Sequence, residues 1–309
     1  MAAGAITLLI PGSLPVINRD MTEPRKRYAA PSPAFCPGYA HEPFISLCSH
    51  FPDATVYPPA DFHLEWGPVF HRGRLDGSAR VLVLGMVPTQ MEIIVRRILV
   101  GSAGQRVGGF LARLGITRSY VMVNTFIYAI ANSKAPVTYQ DLPAVAAYRH
   151  AWLDALIGPR IEAVIGLGAR ADAAFASWRK TPAGGRFDGT YVNMMHPTQP
   201  ESAAHGNLDR LAAATALLID NWNQNLQILA PKIRHPDHAI PLALYKNGFA
   251  SADLRPIPLF DLPAGTPAWM GESDAWAVRV GATRLAKRAH ISVSPPAALY
   301  REWNIGTES

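Results

Sequence analysis

Short runs of apolar residues alternate along this chain with stretches in which apolar residues recur every three or four positions. Four runs rich in Val, Ile, Leu and Met have the length and composition of buried strands, at 80–86, 119–124, 161–167 and 190–195. Helical spacing follows each run, and strands that alternate with helices form a mainly parallel sheet. The pattern therefore predicts an α/β fold, a three-layer α/β/α sandwich around a central four-stranded sheet.

The first strand leads through a Gly-Met-Val-Pro turn at 85–88 into a helix. Thr89 and Glu92 form a Thr-x-x-Glu capping box, which is a common helix start. The apolar positions that follow have helical spacing: Met91, Ile94, Val95 and Ile98. A second helix is predicted from Ser102 to Gly115, because glycine readily adopts the left-handed conformation that ends a helix.

The remaining pattern divides the chain into a centre and two ends. Further helices are predicted at 141–157, 168–178, 207–223 and 273–290, and a surface loop at 134–139. Of the 27 prolines, eleven fall in residues 1–68 and nine in 226–309, so regular structure should concentrate between them. We predict a proline-rich N-terminal extension at 1–52, a central domain at 53–225 and a C-terminal extension at 226–309 that packs on it.

Positive charge is concentrated around the first two strands. The net charge is +6, and residues 71–120 alone carry eight arginines against Asp76 and Glu92. A focused positive field suits a polyanion such as nucleic acid. A solvated, arginine-rich surface explains the same numbers equally well.

The composition is that of a soluble globular protein. Two cysteines, Cys36 and Cys48, are too few for a disulfide framework or a four-thiolate metal site. No apolar run has the length of a membrane-spanning helix. Residues 2–10 are apolar but lack a preceding basic segment and meet Pro11, so a signal peptide is not expected. We expect a cytoplasmic monomer without a cofactor, a metal or a membrane contact.

Three features fall where predicted strands end. They are the turn at 85–88, Asn124, and the His196-Pro197-Thr198 segment. Each has an ordinary structural explanation by itself, as a turn or a cap. The carboxyl ends of parallel strands meet at one edge of a sheet, where ligands of α/β proteins bind. Their common position therefore predicts a site at this edge.

With these motifs, residues 60–225 resemble the uracil-DNA glycosylase superfamily. Members carry Gly-Gln-Asp-Pro or Gly-Glu-x-Pro-Gly after the first strand, an Asn that closes an apolar strand, and His-Pro-Ser near the last strand. Here these motifs read Gly85-Met86-Val87-Pro88, Val121-Met122-Val123-Asn124 and His196-Pro197-Thr198. Residues 99–105, Leu-Val-Gly-Ser-Ala-Gly-Gln, also resemble the family segment Phe-Val-Gly-x-Ala-Gly-Gln.

The resemblance implies a DNA glycosylase that flips a base out of the stack and cleaves its N-glycosidic bond. Asn124 would hydrogen-bond the base edge, and His196 would stabilise the negative charge that develops on the leaving base. The turn 85–88 would line the base pocket together with Thr89 and Leu99. The resemblance further implies a set of DNA contacts: Ser102, Gln105, Arg106, Lys134, Pro197, Thr198 and Gln199.

Several family residues are replaced in this chain. The Asp that positions the attacking water corresponds to Val87, and its neighbouring Gln to Met86, so general-base assistance of about 10²- to 10⁴-fold is absent unless another group supplies it. Glu92 is the nearest acid in sequence, although its capping role competes. The stacking aromatic corresponds to Leu99, and the Tyr that screens the C5 position corresponds to Thr89.

Other departures concern the DNA wedge and the metal cluster. Gln199 or Pro200 stands in place of the family's Leu wedge, and two cysteines cannot hold the iron–sulfur cluster of some branches. The replacements in the first motif enlarge the pocket at the base's C5 edge. The favoured substrate is therefore a C5-modified pyrimidine, such as glucosylated hydroxymethylcytosine in phage DNA, which implies anti-phage defence. Alternatives are an ordinary uracil-DNA glycosylase of base-excision repair and a DNA-binding member that has lost catalysis.

Overall fold

The computed structural model describes residues 6–9, 40–272 and 276–296. This part of the chain forms an α/β structure with a mixed five-stranded sheet and a separate three-stranded sheet. The strands are β1 Ile6–Leu9, β2 His71–Gly73, β3 Val81–Gly85, β4 Tyr120–Asn124, β5 Ala163–Leu167, β6 Thr190–Met194, β7 Ala277–Arg279 and β8 His290–Val293.

The larger sheet has the order β2-β4-β3-β5-β6. The four predicted strands are β3 to β6, and they are parallel to one another. The predicted number of four is too small, because β2 adds an antiparallel edge strand beside β4. Its His-Arg-Gly sequence has neither an apolar run nor alternation, so the hydrophobic pattern does not reveal it.

Helices follow the strands in the predicted alternation. They are α1 Phe44–Ser49, α2 Gln90–Val95, α3 Ser102–Arg113, α4 Ala135–Tyr139, α5 Pro143–Leu156, α6 Gly168–Arg179, α7 Pro182–Gly185, α8 Gln199–Ala204, α9 Leu208–Leu229, α10 Trp269–Glu272 and α11 Arg284–Ala289. Short 3₁₀ turns occur at Leu64–Trp66, Ser251–Asp253 and Leu259–Asp261.

Three helix boundaries differ from the prediction. Helix α2 ends at Val95 because Arg96 is left-handed, with φ of 59°, so Ile98 lies in the following loop. Segment 134–139, predicted as a loop, contains the short helix α4. Helix α9 continues to Leu229, beyond both its predicted end and residue 225.

The two faces of the larger sheet pack in separate cores. Alternate residues of β3 and β4 point to opposite faces, as the pleat requires. Val81, Val83 and Met122 lie in one core with residues of α3 and α9. Leu82 and Val123 lie in the other core with residues of α5 and α6. Helices therefore cover both faces of the sheet.

The C-terminal segment differs from its prediction. The predicted helix at 273–290 is wrong for the residues described: β7 is followed by the six-residue helix α11 and by β8. Strand β8 pairs with β7 and with β1, both antiparallel. Trp276 and Ile291 belong to the same core as α3 and α9, so this segment contributes directly to the interior.

Candidate active site

The end of β3 and the end of β4 form the centre of the predicted site. Gly85 pairs with Asn124 in the parallel register. The side-chain oxygen of Asn124 occupies the space where a β-carbon of Gly85 would lie. A β-carbon added at Gly85 would force the Asn124 side chain to move, and the φ of Gly85 is not positive. The first and second motifs thus meet in direct contact.

The Asn124 side chain retains unused hydrogen-bonding capacity. The residue is 9% exposed. Its amide nitrogen is buried and has no hydrogen-bond partner among the described residues. Because a buried donor without a partner costs about 1–3 kcal/mol, such a group is a strong candidate for ligand recognition.

The turn after β3 is fixed by the chain that follows β4. Thr125 donates to the Gly85 carbonyl from both its backbone N–H and its hydroxyl, each at 2.9 Å. The backbone N–H of Phe126 donates to the Met86 carbonyl at 2.9 Å. These hydrogen bonds extend the ladder between β3 and β4 into the first motif. Val87 is half-buried and packs on the side of the sheet that α5 and α6 cover.

His196 lies just beyond the end of β6, at the same edge of the sheet. It follows Met194, the last residue of β6, by two positions, and Met194 lies in the core with α3 and α9. Its β-carbon lies 3.8 Å from the position of a β-carbon on Gly168, at the end of β5. Among the hydrogen bonds of the described residues, none joins His196 to Asn124, so any ligand contacting both must bridge them.

The protonation state of His196 follows from its neighbours. Burial lowers the pKa of His196, and the nearby Glu201 carboxylate offsets this only in part, so the ring is neutral at pH 7. The backbone N–H of Thr198 donates to Nδ1 at 3.3 Å. Because Nδ1 accepts, the proton of the neutral ring resides on Nε2. His196 therefore presents an Nε2–H donor.

Arg106 connects helix α3 to the His-Pro-Thr segment. Its guanidinium donates to the Pro197 carbonyl at 2.6 Å and pairs with Glu201 at 2.6 Å. The group also stacks over Phe249, 4.8 Å from the ring centroid. Arg106, predicted to contact DNA, is thus occupied in positioning the loop that carries His196.

Glu92 is committed to the backbone. Its two carboxylate oxygens accept from the N–H of Thr89, at 2.5 Å, and from the N–H of Leu99. The residue is 4% exposed. Burial raises its pKa to about 7, and these backbone hydrogen bonds counteract that increase in part. The predicted capping box is present. Because the carboxylate also binds the backbone at the end of the 96–99 loop, it is not free to act on a ligand.

The other predicted base-pocket residues differ in exposure. Pro88 is buried, Met86 is half-buried and Thr89 is exposed. Leu99 is 5% exposed, packs in the core beneath α3 and has a φ of 53°. Its side chain is therefore part of the interior.

The other predicted DNA contacts are distributed between the surface and the interior. Gln105 is buried, and its amide donates to the Glu272 carbonyl at 3.1 Å. Lys134 is exposed at the start of α4, and Ser102 is half-buried at the start of α3. Gln199 is half-buried at the start of α8. Lys134 is the member of this group that is free to reach a phosphate.

The arginines between residues 71 and 120 serve mainly internal contacts. Asp261 accepts from Arg74 at 2.7 Å and from the Tyr120 hydroxyl at 2.5 Å, and it lies 3.5 Å from Arg72. Arg97 donates to the Asp261 carbonyl at 3.1 Å. The Asp261 carboxylate thus neutralises Arg72 and Arg74, and the backbone carbonyl of the same residue binds Arg97, so these three arginines make internal contacts.

Basic residues of the C-terminal segment, which the sequence analysis did not assign to the site, line a groove. Arg279 and Lys287 line a groove together with His63 and Ala131. Because this segment was predicted to be one packed helix, its basic residues were not predicted to line a groove. The relevant signal was the absence of Asp and Glu from residues 276–296.

Within the described residues, no cluster of three or more His, Cys, Asp or Glu side chains could hold a metal ion. The helices of that same part are all too short or too polar to cross a membrane. Cys48 is a half-buried free thiol, and Cys36 lies outside the described residues.

Comparison with known proteins adds no family assignment. No protein-family model matches the sequence, and no curated protein matches it significantly.

Proposed function

We propose that this protein is a DNA glycosylase that flips a pyrimidine out of DNA and hydrolyses its N-glycosidic bond. The observation that carries the proposal is the meeting of Gly85 with Asn124, whose unpaired amide lies at the same edge of the sheet as His196. A neutral histidine donor and an amide at the carboxyl edge of a parallel sheet suit recognition of a planar base with carbonyl oxygens.

The proposed chemistry uses these two side chains at different stages. Asn124 binds the edge of the flipped base through its free amide N–H. As the bond between the sugar C1′ and the base nitrogen breaks, the electron pair remains on the base. The Nε2–H of His196 then donates to the base oxygen where negative charge accumulates. Water adds to the oxocarbenium-like sugar and releases its proton to solvent, which leaves an abasic site.

The structure of the first motif favours a C5-modified pyrimidine as substrate. Val87 and Met86 are half-buried apolar residues, and Thr89 is exposed at the start of α2. No large aromatic side chain of this motif therefore screens the C5 edge of a bound base. Glucosylated hydroxymethylcytosine is the sharpest candidate, and such a substrate would connect the protein to defence against phage.

A binding protein without catalysis is the second candidate. Val87 has no group that can orient water, and both oxygens of Glu92 already accept backbone hydrogen bonds. The same observation argues against an ordinary uracil enzyme that uses Glu92 as general base. Water capture then depends on the lifetime of the oxocarbenium-like sugar.

The decisive experiment is incubation with DNA that contains uracil, hydroxymethylcytosine or glucosylated hydroxymethylcytosine, followed by alkali to cleave abasic sites. Strand cleavage confined to the C5-modified substrates supports the proposal. Cleavage at uracil alone identifies a repair enzyme. Binding of all three DNAs without cleavage identifies the non-catalytic alternative.

A further inference from the structure

A groove of about 560 Å³ is formed by residues from three separate segments of the chain. Ala60 and His63 line it from the chain that precedes β2, and Ala131 lines it from the chain that follows β4. The remaining lining residues lie between 279 and 288, at the end of β7 and along α11. We call this feature the C-terminal groove.

The C-terminal groove lies at the same edge of the sheet as Asn124. Residue 131 follows the carboxyl end of β4, and its backbone N–H donates to the Asp61 carbonyl at 2.8 Å. On the other side, Gln90 donates to the Ala277 carbonyl at 3.1 Å. Gln90 is the first residue of α2, directly after the first motif. The segment that forms the groove therefore adjoins the proposed base pocket.

Two basic side chains of the groove have no acidic partner in the part of the chain that the structure describes. Residues 276–296 contain three arginines and one lysine but no aspartate or glutamate. Arg288 pairs with Glu65 at 2.8 Å and thereby anchors α11. Within the described residues, no carboxylate lies within ion-pair distance of Arg279 or Lys287. Two cations thus remain available to an external anion.

Arg279 is held in place before any ligand arrives. Its guanidinium lies over Trp66, 4.7 Å from the ring centroid, and one nitrogen is 3.5 Å from His63 Nε2. Trp66 is 2% exposed, and its indole N–H donates to the Arg288 carbonyl at 3.3 Å. An aromatic platform fixes the guanidinium, so less side-chain freedom is lost on binding.

We infer that the C-terminal groove binds the phosphate backbone of the DNA strand beside the flipped base, with Arg279 and Lys287 as phosphate contacts. The inference rests on the proposed function, from which it takes DNA as the ligand. It assigns the binding of the DNA backbone to residues 276–296. A fixed guanidinium offers paired donors to one phosphate, while an exposed lysine acts as a mobile point charge. The internal use of Arg72, Arg74 and Arg97 leaves this groove as a source of positive field at the site.

The test measures binding of the full-length protein to a labelled single-stranded oligonucleotide by fluorescence anisotropy, between about 50 and 200 mM salt. The variant is Arg279→Gln with Lys287→Gln. Each lost phosphate contact lowers the magnitude of the slope of log K against log salt by about 0.7 on a single strand. The double variant should therefore lose about 1.4 from this slope.

The control is Lys180→Gln with Lys232→Gln, which removes the same charge from exposed positions. These lysines follow α6 and α9, at the ends remote from the carboxyl edge. If the control lowers the slope as much as the groove variant does, net charge is the cause and the inference is wrong. An unchanged slope in the groove variant also overturns it.

A second measurement uses the unmodified protein and avoids any effect of Arg279 on folding. Lysine acetylation is followed by mass spectrometry with and without the oligonucleotide. Lys287 should be protected by DNA, whereas Lys180 should react equally in both samples. Equal acetylation of Lys287 in both samples would contradict the inference.

The two proposals fail in different ways. Normal salt dependence and Lys287 protection without base removal from any substrate would sink the glycosylase function and leave the groove as a DNA site. Base removal by the wild type, together with an unaffected salt slope in the Arg279 and Lys287 variant, would support the glycosylase function and overturn the groove as a DNA site.

Discussion

The side-chain oxygen of Asn124 fills the volume that any side chain at Gly85 would need. Gly85→Ala should therefore displace the Asn124 amide from its position. A displacement of about 1 Å from a productive geometry costs about 10²-fold in rate, so single-turnover base excision should fall by about this factor. Gly158→Ala is the matched control, because no atom lies within 4 Å of its added β-carbon. Equal rates for the two variants would show that Asn124 does not contact the base.

Loss of the His196 imidazole should affect catalysis more than binding. His196→Ala removes a donor whose hydrogen bond strengthens only as the leaving base becomes anionic. The rate of base release should drop by about 10²- to 10³-fold, while the dissociation constant for DNA changes little. Gel-based cleavage and anisotropy measure the two quantities separately. If both change by the same factor, His196 only shapes the loop.

Glu92→Gln distinguishes a structural carboxylate from a general base. The amide retains one acceptor oxygen and leaves one of the N–H groups of Thr89 and Leu99 without its partner. This loss should lower the free energy of unfolding by about 1–3 kcal/mol. Thermal unfolding measures it. Base excision below the unfolding temperature should persist, and its abolition in a stable variant would make Glu92 the catalytic base.

The contribution of His71 to stability should decrease as the pH falls from 7 to 5. His71 is fully buried, and burial together with Arg97 and Arg74 holds its pKa well below the ordinary value. Below about pH 6.5, the ordinary pKa of histidine, the unfolded state therefore binds a proton at His71 that the folded state does not bind. The stabilisation is present above about pH 6.5 and is lost on acidification, by up to about 1.4 kcal/mol per pH unit.

Denaturant unfolding of the wild type and of His71→Phe across this range isolates the effect. Glu92 has the opposite sign, because its pKa is raised to about 7 and its stabilisation disappears as the pH rises towards that value. The difference between the two proteins removes this contribution. A difference that is constant with pH would show that His71 does not titrate as its burial requires.

Val87→Asp tests whether water activation is the missing element. An aspartate at this position restores the residue that positions the attacking water in the family that this sequence resembles. Uracil excision should increase, by at most about 10⁴-fold. Val87→Asn has the same shape without the charge and should remain near the wild-type rate. If the Asp and Asn variants are equally active, the gain does not arise from a base.

The sequence predicted strands well where burial on both faces imposes a continuous apolar run, as in β3 and β5. It failed for β2, whose three residues are held by pairing with β4 rather than by their own pattern. It also failed at residues 276–296, where the pairing of β8 with β1 overrides local helix preference. Such long-range pairing leaves no local signal.

Parts of the candidate site were equally predictable from local pattern. The Thr89–Glu92 capping box and the placement of Gly85 and Asn124 at strand ends follow from short motifs. The destinations of the arginines do not, because Asp261 lies far along the chain from Arg72 and Arg74. The charge count indicated a positive field at the site, whereas Arg72 and Arg74 make ion pairs in the interior.

The pairing of β1 with β8 has a consequence for the order in which the protein is made. Ile6 lies opposite Val293, so β1 has no partner in its sheet until the chain has been synthesised as far as β8. The larger sheet needs no residue beyond β6 for its own ladder and can assemble earlier. The C-terminal groove is consequently completed after the larger sheet, and a nascent chain that stalls before β8 would contain the Asn124 edge and the basic residues 279–288 without the strand that pairs with β7.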